Sequence, residues 1–146
     1  MSEMLGNYHF LIRNYSSAIR EFEKIVNNSA AKKTQKKLII CYTQTGQLDK
    51  ALDLFYKLIR EDIRLITNTN PEKEDCPCPE LTKKLEEEFL EKKDSYETNV
   101  ELGILWLYCD KGKSLEYFQN AEKINSSDER ISSIIQILKQ TNKNHN

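Results

Sequence analysis

The stretch LIICYTQTGQLDKALDLFYKL, residues 38–58, decides the fold, because apolar side chains recur at helical spacing on both sides of the polar break Thr45-Gly46-Gln47. Leu38, Ile39 and Tyr42 precede the break, and Leu48, Ala51, Leu52, Phe55 and Leu58 follow it. Two helices folded back on one another are expected. The same pattern stands 33 positions earlier as LGNYHFLIRNYSSAIREFEKI, residues 5–25, where Leu5, Ala18 and Phe22 match Leu38, Ala51 and Phe55 across the break Arg13-Asn14. A repeat of fixed period sets the architecture before any local detail does. Ala18 and Ala51 are expected where paired helices cross most closely, since a larger side chain would hold the backbones apart. Phe22 and Phe55, one turn later, would fill the space between pairs.

A third copy reads Leu102-Gly103, Trp106, Ser114, Phe118 and Ala121, with Ser in place of the close-packing Ala and a turn at Asp110 to Gly112 one residue short. A last helix follows: Ser126 and Glu129 have capping-box spacing, and Ile131, Ile134, Ile135 and Leu138 make one buried stripe. These residues resemble the tetratricopeptide repeat, whose signature is Leu-Gly and an aromatic in the first helix, then Ala and an aromatic in the second. The resemblance implies an all-α, right-handed superhelical solenoid of antiparallel helix pairs over residues 1–146. Repeat one is expected at 3–28, repeat two at 30–66, an insertion at 67–94, repeat three at 97–124 and a capping helix at 127–140.

Composition narrows the function. With 22 Lys+Arg against 23 Asp+Glu in 146 residues, the chain lacks the basic surplus of a nucleic-acid binder, and no nucleic-acid partner is expected. Its apolar runs are far shorter than the ~20 residues of a membrane span, so neither membrane contact nor a span is expected. No secretory signal is legible at the start, which points to the cytoplasm. Charge is uneven: residues 1–67 carry eleven basic and seven acidic side chains, whereas residues 68–94 carry five and nine, together with all three prolines. That middle block reads as an exposed loop, Asn68 to Pro79, and then an amphipathic helix from Glu80 with Leu81, Leu85, Phe89 and Leu90 on one side. The helix either breaks near Asp94-Ser95, the reading favoured here, or runs on into the third pair. It could lie across a binding groove, its Glu side chains meeting Lys33 and Lys36, or simply replace a missing half-repeat.

Cys76-Pro77-Cys78-Pro79 is the most conspicuous chemical motif, a candidate metal or redox pair. Zinc normally wants four ligands in two such pairs, and Cys41, Cys109, His9 and His145 are all remote from the motif in sequence, so the expectation is reduced thiols and no metal or other cofactor. No phosphate loop or activated nucleophile is visible, and catalysis is not expected. Glu86-Glu87-Glu88 and the cluster Lys32-Lys33, Lys36-Lys37 read as solvated faces, Trp106 as a core position with Tyr108 open as a ligand contact, and the sequons at Asn14, Asn27 and Asn125 as carrying nothing without secretion.

The family resemblance implies a concave groove lined by first helices, holding a peptide or helix of another protein. Matched residue by residue, it names Asn7, Phe10 and Leu11 from the first pair, Lys33, Lys36, Ile40, Thr43 and Gln44 from the second, and Ile104, Leu107 and Tyr108 from the third. An apolar floor with a lysine rim suits a protein segment that is apolar with acidic flanks. Of the carboxylate clamp that chaperone-binding members carry, only Asn7 matches; Glu3, Lys37, Glu97 and Glu101 stand at or near the other clamp positions. The reading is therefore a non-catalytic adaptor or assembly factor. A secretion-type chaperone of similar build, or a thiol or metal site at Cys76 and Cys78, is the alternative, and self-association through the first helix is left open.

Overall fold

Helices account for all the regular structure among the described residues, and no strand occurs there. The computed structural model describes residues 1–26, 32–74, 76–92 and 95–144, with side chains omitted at 89–92 and 141–144. The expectations for Phe89, Leu90, His145 and the sequon at Asn27 fall outside the described residues. The helices are α1 (Ser2–Leu11), α2 (Tyr15–Glu23), α3 (Lys32–Gln44), α4 (Leu48–Asp62), α5 (Arg64–Thr67), α6 (Cys78–Lys92), α7 (Tyr96–Trp106), α8 (Lys111–Ile124) and α9 (Glu129–Asn144). The chain forms two compact units, Met1–Phe55 and Tyr56–Asn146, with the division inside α4.

In the N-terminal unit, α2 packs against both α1 and α3. The 33-residue repeat recurs in the bond that closes each of the two helix turns. Asn14 N–H donates to the His9 carbonyl at 2.8 Å and Gln47 N–H to the Tyr42 carbonyl at 3.0 Å, the same 6→1 closure in both copies. Arg13 at φ 65° and Gly46 at φ 73°, again 33 apart, supply the left-handed residue that this closure needs. Glycine adopts that region freely, whereas a side chain there crowds its own backbone, so the second copy carries the better residue for the turn. Ala18, Ala51, Phe22 and Phe55 are all fully buried, as their repeat positions require. Gly6 lies against the Phe22 ring so closely that a Cβ there would collide with the ring carbons.

The C-terminal unit repeats the interlock with a shorter turn. Gly103 lies under Phe118, where an added Cβ would stand 2.9 Å from two ring carbons. Asp110 N–H reaches the Trp106 carbonyl at 2.6 Å, a span of four residues rather than five, and no left-handed residue is used. Asp110 instead caps α8, its carboxylate accepting from Lys113 N–H at 3.1 Å. Ser114 takes the place of Ala18 and Ala51, and its buried hydroxyl donates to the Gly103 carbonyl at 2.6 Å. A small polar residue is tolerated at the crossing because the opposing backbone supplies its acceptor.

Three local expectations change. Helix α6 starts at Cys78 rather than Glu80, because Pro79 in a first turn has the helical φ already set and lacks only an N–H that would find no partner there. The segment before it is not wholly exposed: Pro77 and Cys78 are buried. Helix α9 is capped by Asp128, whose carboxylate accepts from Arg130 N–H at 2.9 Å, and not by a Ser126–Glu129 box. The stripe of Ile131, Ile134, Ile135 and Leu138 is buried as its spacing requires. The break between α6 and α7 is present, Ser95 capping α7 through Thr98 N–H at 3.1 Å.

Candidate functional site

Helix α6 packs on α7, and between them opens a cleft of about 390 Å³. From α6 it is lined by Pro79, Thr82, Lys83, Glu86 and Glu87, and from the end of α7 and its turn by Trp106 and Cys109. Helical spacing explains the α6 side. Residues 79, 82, 83, 86 and 87 recur at three and four, which puts them on one face, while Leu81 on an adjoining face is buried. Glu86 is held in place from α8, its carboxylate accepting the Tyr117 hydroxyl at 2.5 Å. Burial, followed by that carboxylate, raises the Tyr117 phenol above its ordinary range, so it stays a donor.

Trp106 closes the inner end. Its ring is half-buried, and the Lys113 ammonium lies 4.2 Å from the ring centroid. The indole Nε1–H is enclosed and meets no acceptor among the described residues. An enclosed donor left unmade costs on the order of 1–3 kcal/mol. The cleft wall thus carries an aromatic surface, and Lys83 and Glu87 beside it are exposed, while the indole donor is enclosed within the protein.

The thiols and carboxyls of the two units, each taken by itself, show what chemistry they favour. Burial first, and then Asp110, raises the Cys109 thiol, which keeps this exposed cysteine protonated near neutrality. Cys41 is buried and pushed up to about 12 by desolvation. On α7, burial and the nearby Glu88 push the Glu101 carboxyl up to about 7. None of these groups has the activated nucleophile and adjacent base that covalent catalysis uses. Among the described residues, no three His, Cys, Asp or Glu side chains gather as a metal-ligand set.

Cys76 and Cys78 are joined as a disulfide, contrary to the expectation of reduced thiols. Their Cα atoms stand 5.4 Å apart, within the range a disulfide spans. Cys78 is enclosed and Cys76 half-exposed.

The residues named from sequence for a groove are dispersed by burial. Phe10 is enclosed by Tyr15 and Phe22, with the Lys37 ammonium 5.5 Å from its ring centroid. Ile40, Ile104, Leu107 and Tyr108 are likewise interior, and Thr43 is buried with its hydroxyl donating to the Ile40 carbonyl at 2.6 Å. The expected apolar floor is therefore core, except for Leu11, which is 54% exposed. The cause is that α3 is buried from Leu38 through Thr43, almost all round its circumference, so a one-face assignment does not hold for it. Of the polar candidates, Lys33 is exposed, and Asn7, Lys36 and Gln44 are half-buried. Asn7 accepts from Lys37 Nζ at 2.9 Å, and Gln44 donates to Thr43 Oγ1 at 3.1 Å. Sequence reasoning assigned Trp106 to the core and did not find Cys109, Thr82 or Pro79 as cleft residues; only the α6 spacing carried a signal for them.

No helix among the described residues is long and apolar enough to cross a membrane. No protein-family model matches the chain, and no curated protein matches it.

Proposed function

We propose that this chain is a non-catalytic protein-interaction module of tetratricopeptide-repeat type, an adaptor or assembly factor that holds a segment of another protein. The repeat reading is supported by the matched turns at Arg13 and Gly46 and by the Gly–Phe interlock shared by the first and third pairs. On this reading α6, seated on α7 and tied to Tyr117, fills the place of a half-repeat. The observation that carries the function is the cleft beside Trp106. It offers the Trp106 ring as an aromatic wall, Pro79 and Thr82 beside it, and Lys83, Glu86 and Glu87 as its charged lining. An apolar side chain entering it would bury surface against Trp106 and Pro79.

Cys109 makes the test direct, because it is exposed and lines the cleft while Cys41 is buried. Immobilised protein is compared with protein whose Cys109 carries a bulky maleimide, using extract of the native source. A specific protein should be retained by the first and lost from the second, and Cys109 should be shielded from labelling in the complex. Equal retention by both would refute the cleft as the docking site.

A second reading has one observation in its favour, the bonded Cys76 and Cys78. An incoming thiolate would attack the half-exposed Cys76 sulfur, form a mixed disulfide there and release Cys78 as thiolate. Exchange with a small thiol that Cys78→Ser abolishes would support that reading, and absence of exchange would remove it.

A further inference from the structure

Helix α1 buries one side and leaves the other bare. Gly6 and Phe10 face inward. Met1, Met4, Leu5, Tyr8, Leu11 and Ile12 are exposed by 94, 72, 43, 56, 54 and 51% respectively. Met1, Met4, Tyr8 and Leu11 are spaced three, four and three, the seam of two helices packed side by side, with Leu5 and Ile12 flanking them. No charged residue lies in that seam, since Glu3 falls at a helical angle away from it.

We infer that this face pairs with the same face of a second copy of the chain. Taking on the order of 200 Å² for a fully open large side chain, the stripe presents roughly 700 Å², more than the few hundred a monomer usually leaves bare. Two such faces bury a total of about 1,400 Å², inside the range of stable specific interfaces. A two-fold pairing needs a self-complementary surface, and an uncharged stripe meets itself without opposing like charges. Methionine suits such a seam because its flexible thioether fills irregular gaps. An antiparallel arrangement also opposes the two helix dipoles favourably. This surface is separate from the Trp106 cleft, and the inference goes beyond the function proposed above.

The test is mass by sedimentation equilibrium over a wide range of concentration. The parent should reach the mass of two chains. Tyr8→Glu and Leu11→Glu, both at exposed positions, should each weaken association by about a hundredfold or more while leaving the melting temperature of the single chain unchanged. In a Cys109→Ser background, a mixture of Met4→Cys and Tyr8→Cys proteins should cross-link on oxidation more readily than Met4→Cys alone. A single-chain mass at every concentration would overturn the inference. So would a dimer that survives both glutamate variants, or single chains that use the stripe to bind uncharged lipid vesicles.

Discussion

Gly103→Ala tests the packing of the third helix pair, because two opposing effects predict opposite signs. The added methyl would stand 2.9 Å from Cδ2 and Cε2 of Phe118 and 3.0 Å from its Cγ, against the 3.5–4.0 Å at which carbon atoms pack comfortably. Phe118 is fully buried, so the ring and its neighbours must shift together to admit the methyl. Overpacking of this kind costs about 1–3 kcal/mol, whereas replacing Gly by Ala inside a helix gains about 1 kcal/mol. The net expectation is a destabilisation on the order of 1 kcal/mol, a fall of about 3 °C in melting temperature for a chain of this size. Urea denaturation gives the free energy, and Phe118→Leu gives the control. The smaller side chain should cost less in the Gly103→Ala background than in the parent, because the two changes share one contact. A variant as stable as the parent or more stable, or strictly additive costs, would refute the interlock.

Two further outcomes are expected. Arg13→Gly should raise stability by about 0.5–1 kcal/mol in thermal unfolding, because it places at φ 65° the residue already present at the matching position, and Gly46→Ala should lower it by a similar amount. The carboxyl of Glu101, pushed up to about 7 from the ordinary 4.5, binds more protons folded than unfolded between those values, so its contribution to stability is present below the window and is lost as pH rises through it. Because Glu101 is only half-buried, Glu101→Gln should gain a discounted amount, about 1–2 kcal/mol, above the window and little below it. Stability curves of equal pH slope for the two proteins would remove the assignment.

Much of the fold was legible because its signals are local. The register of Ala18 with Ala51 and Phe22 with Phe55 and the stripe of Ile131, Ile134, Ile135 and Leu138 each follow from spacing within a few helical turns, whereas the third turn lies at 107–110 and not at Asp110 to Gly112, because Asp110 caps a helix that already includes Gly112. The groove residues were not legible, because a repeat match fixes where a residue stands on its helix and not how many neighbours surround that helix. Phe10 and Leu11 are adjacent and equally apolar, and one is enclosed while the other is open. Pro79 misled in a related way, reading as a breaker although a helix accepts it in its first turn.

By itself the sequence determined that the chain is helical, where the first two helix pairs turn, and which small and aromatic positions are buried, since these depend on propensity and period; that Phe22 and Phe118 each close on a glycine of their own pair came from the structure. Only the tertiary structure decided that the acceptor for the Ser114 hydroxyl is the Gly103 carbonyl, that Trp106 walls a cleft with Cys109 at its side, and that Met4, Tyr8 and Leu11 are left facing water. Those outcomes depend on which surfaces meet after every helix has formed, and burial is a property of that meeting rather than of any one segment.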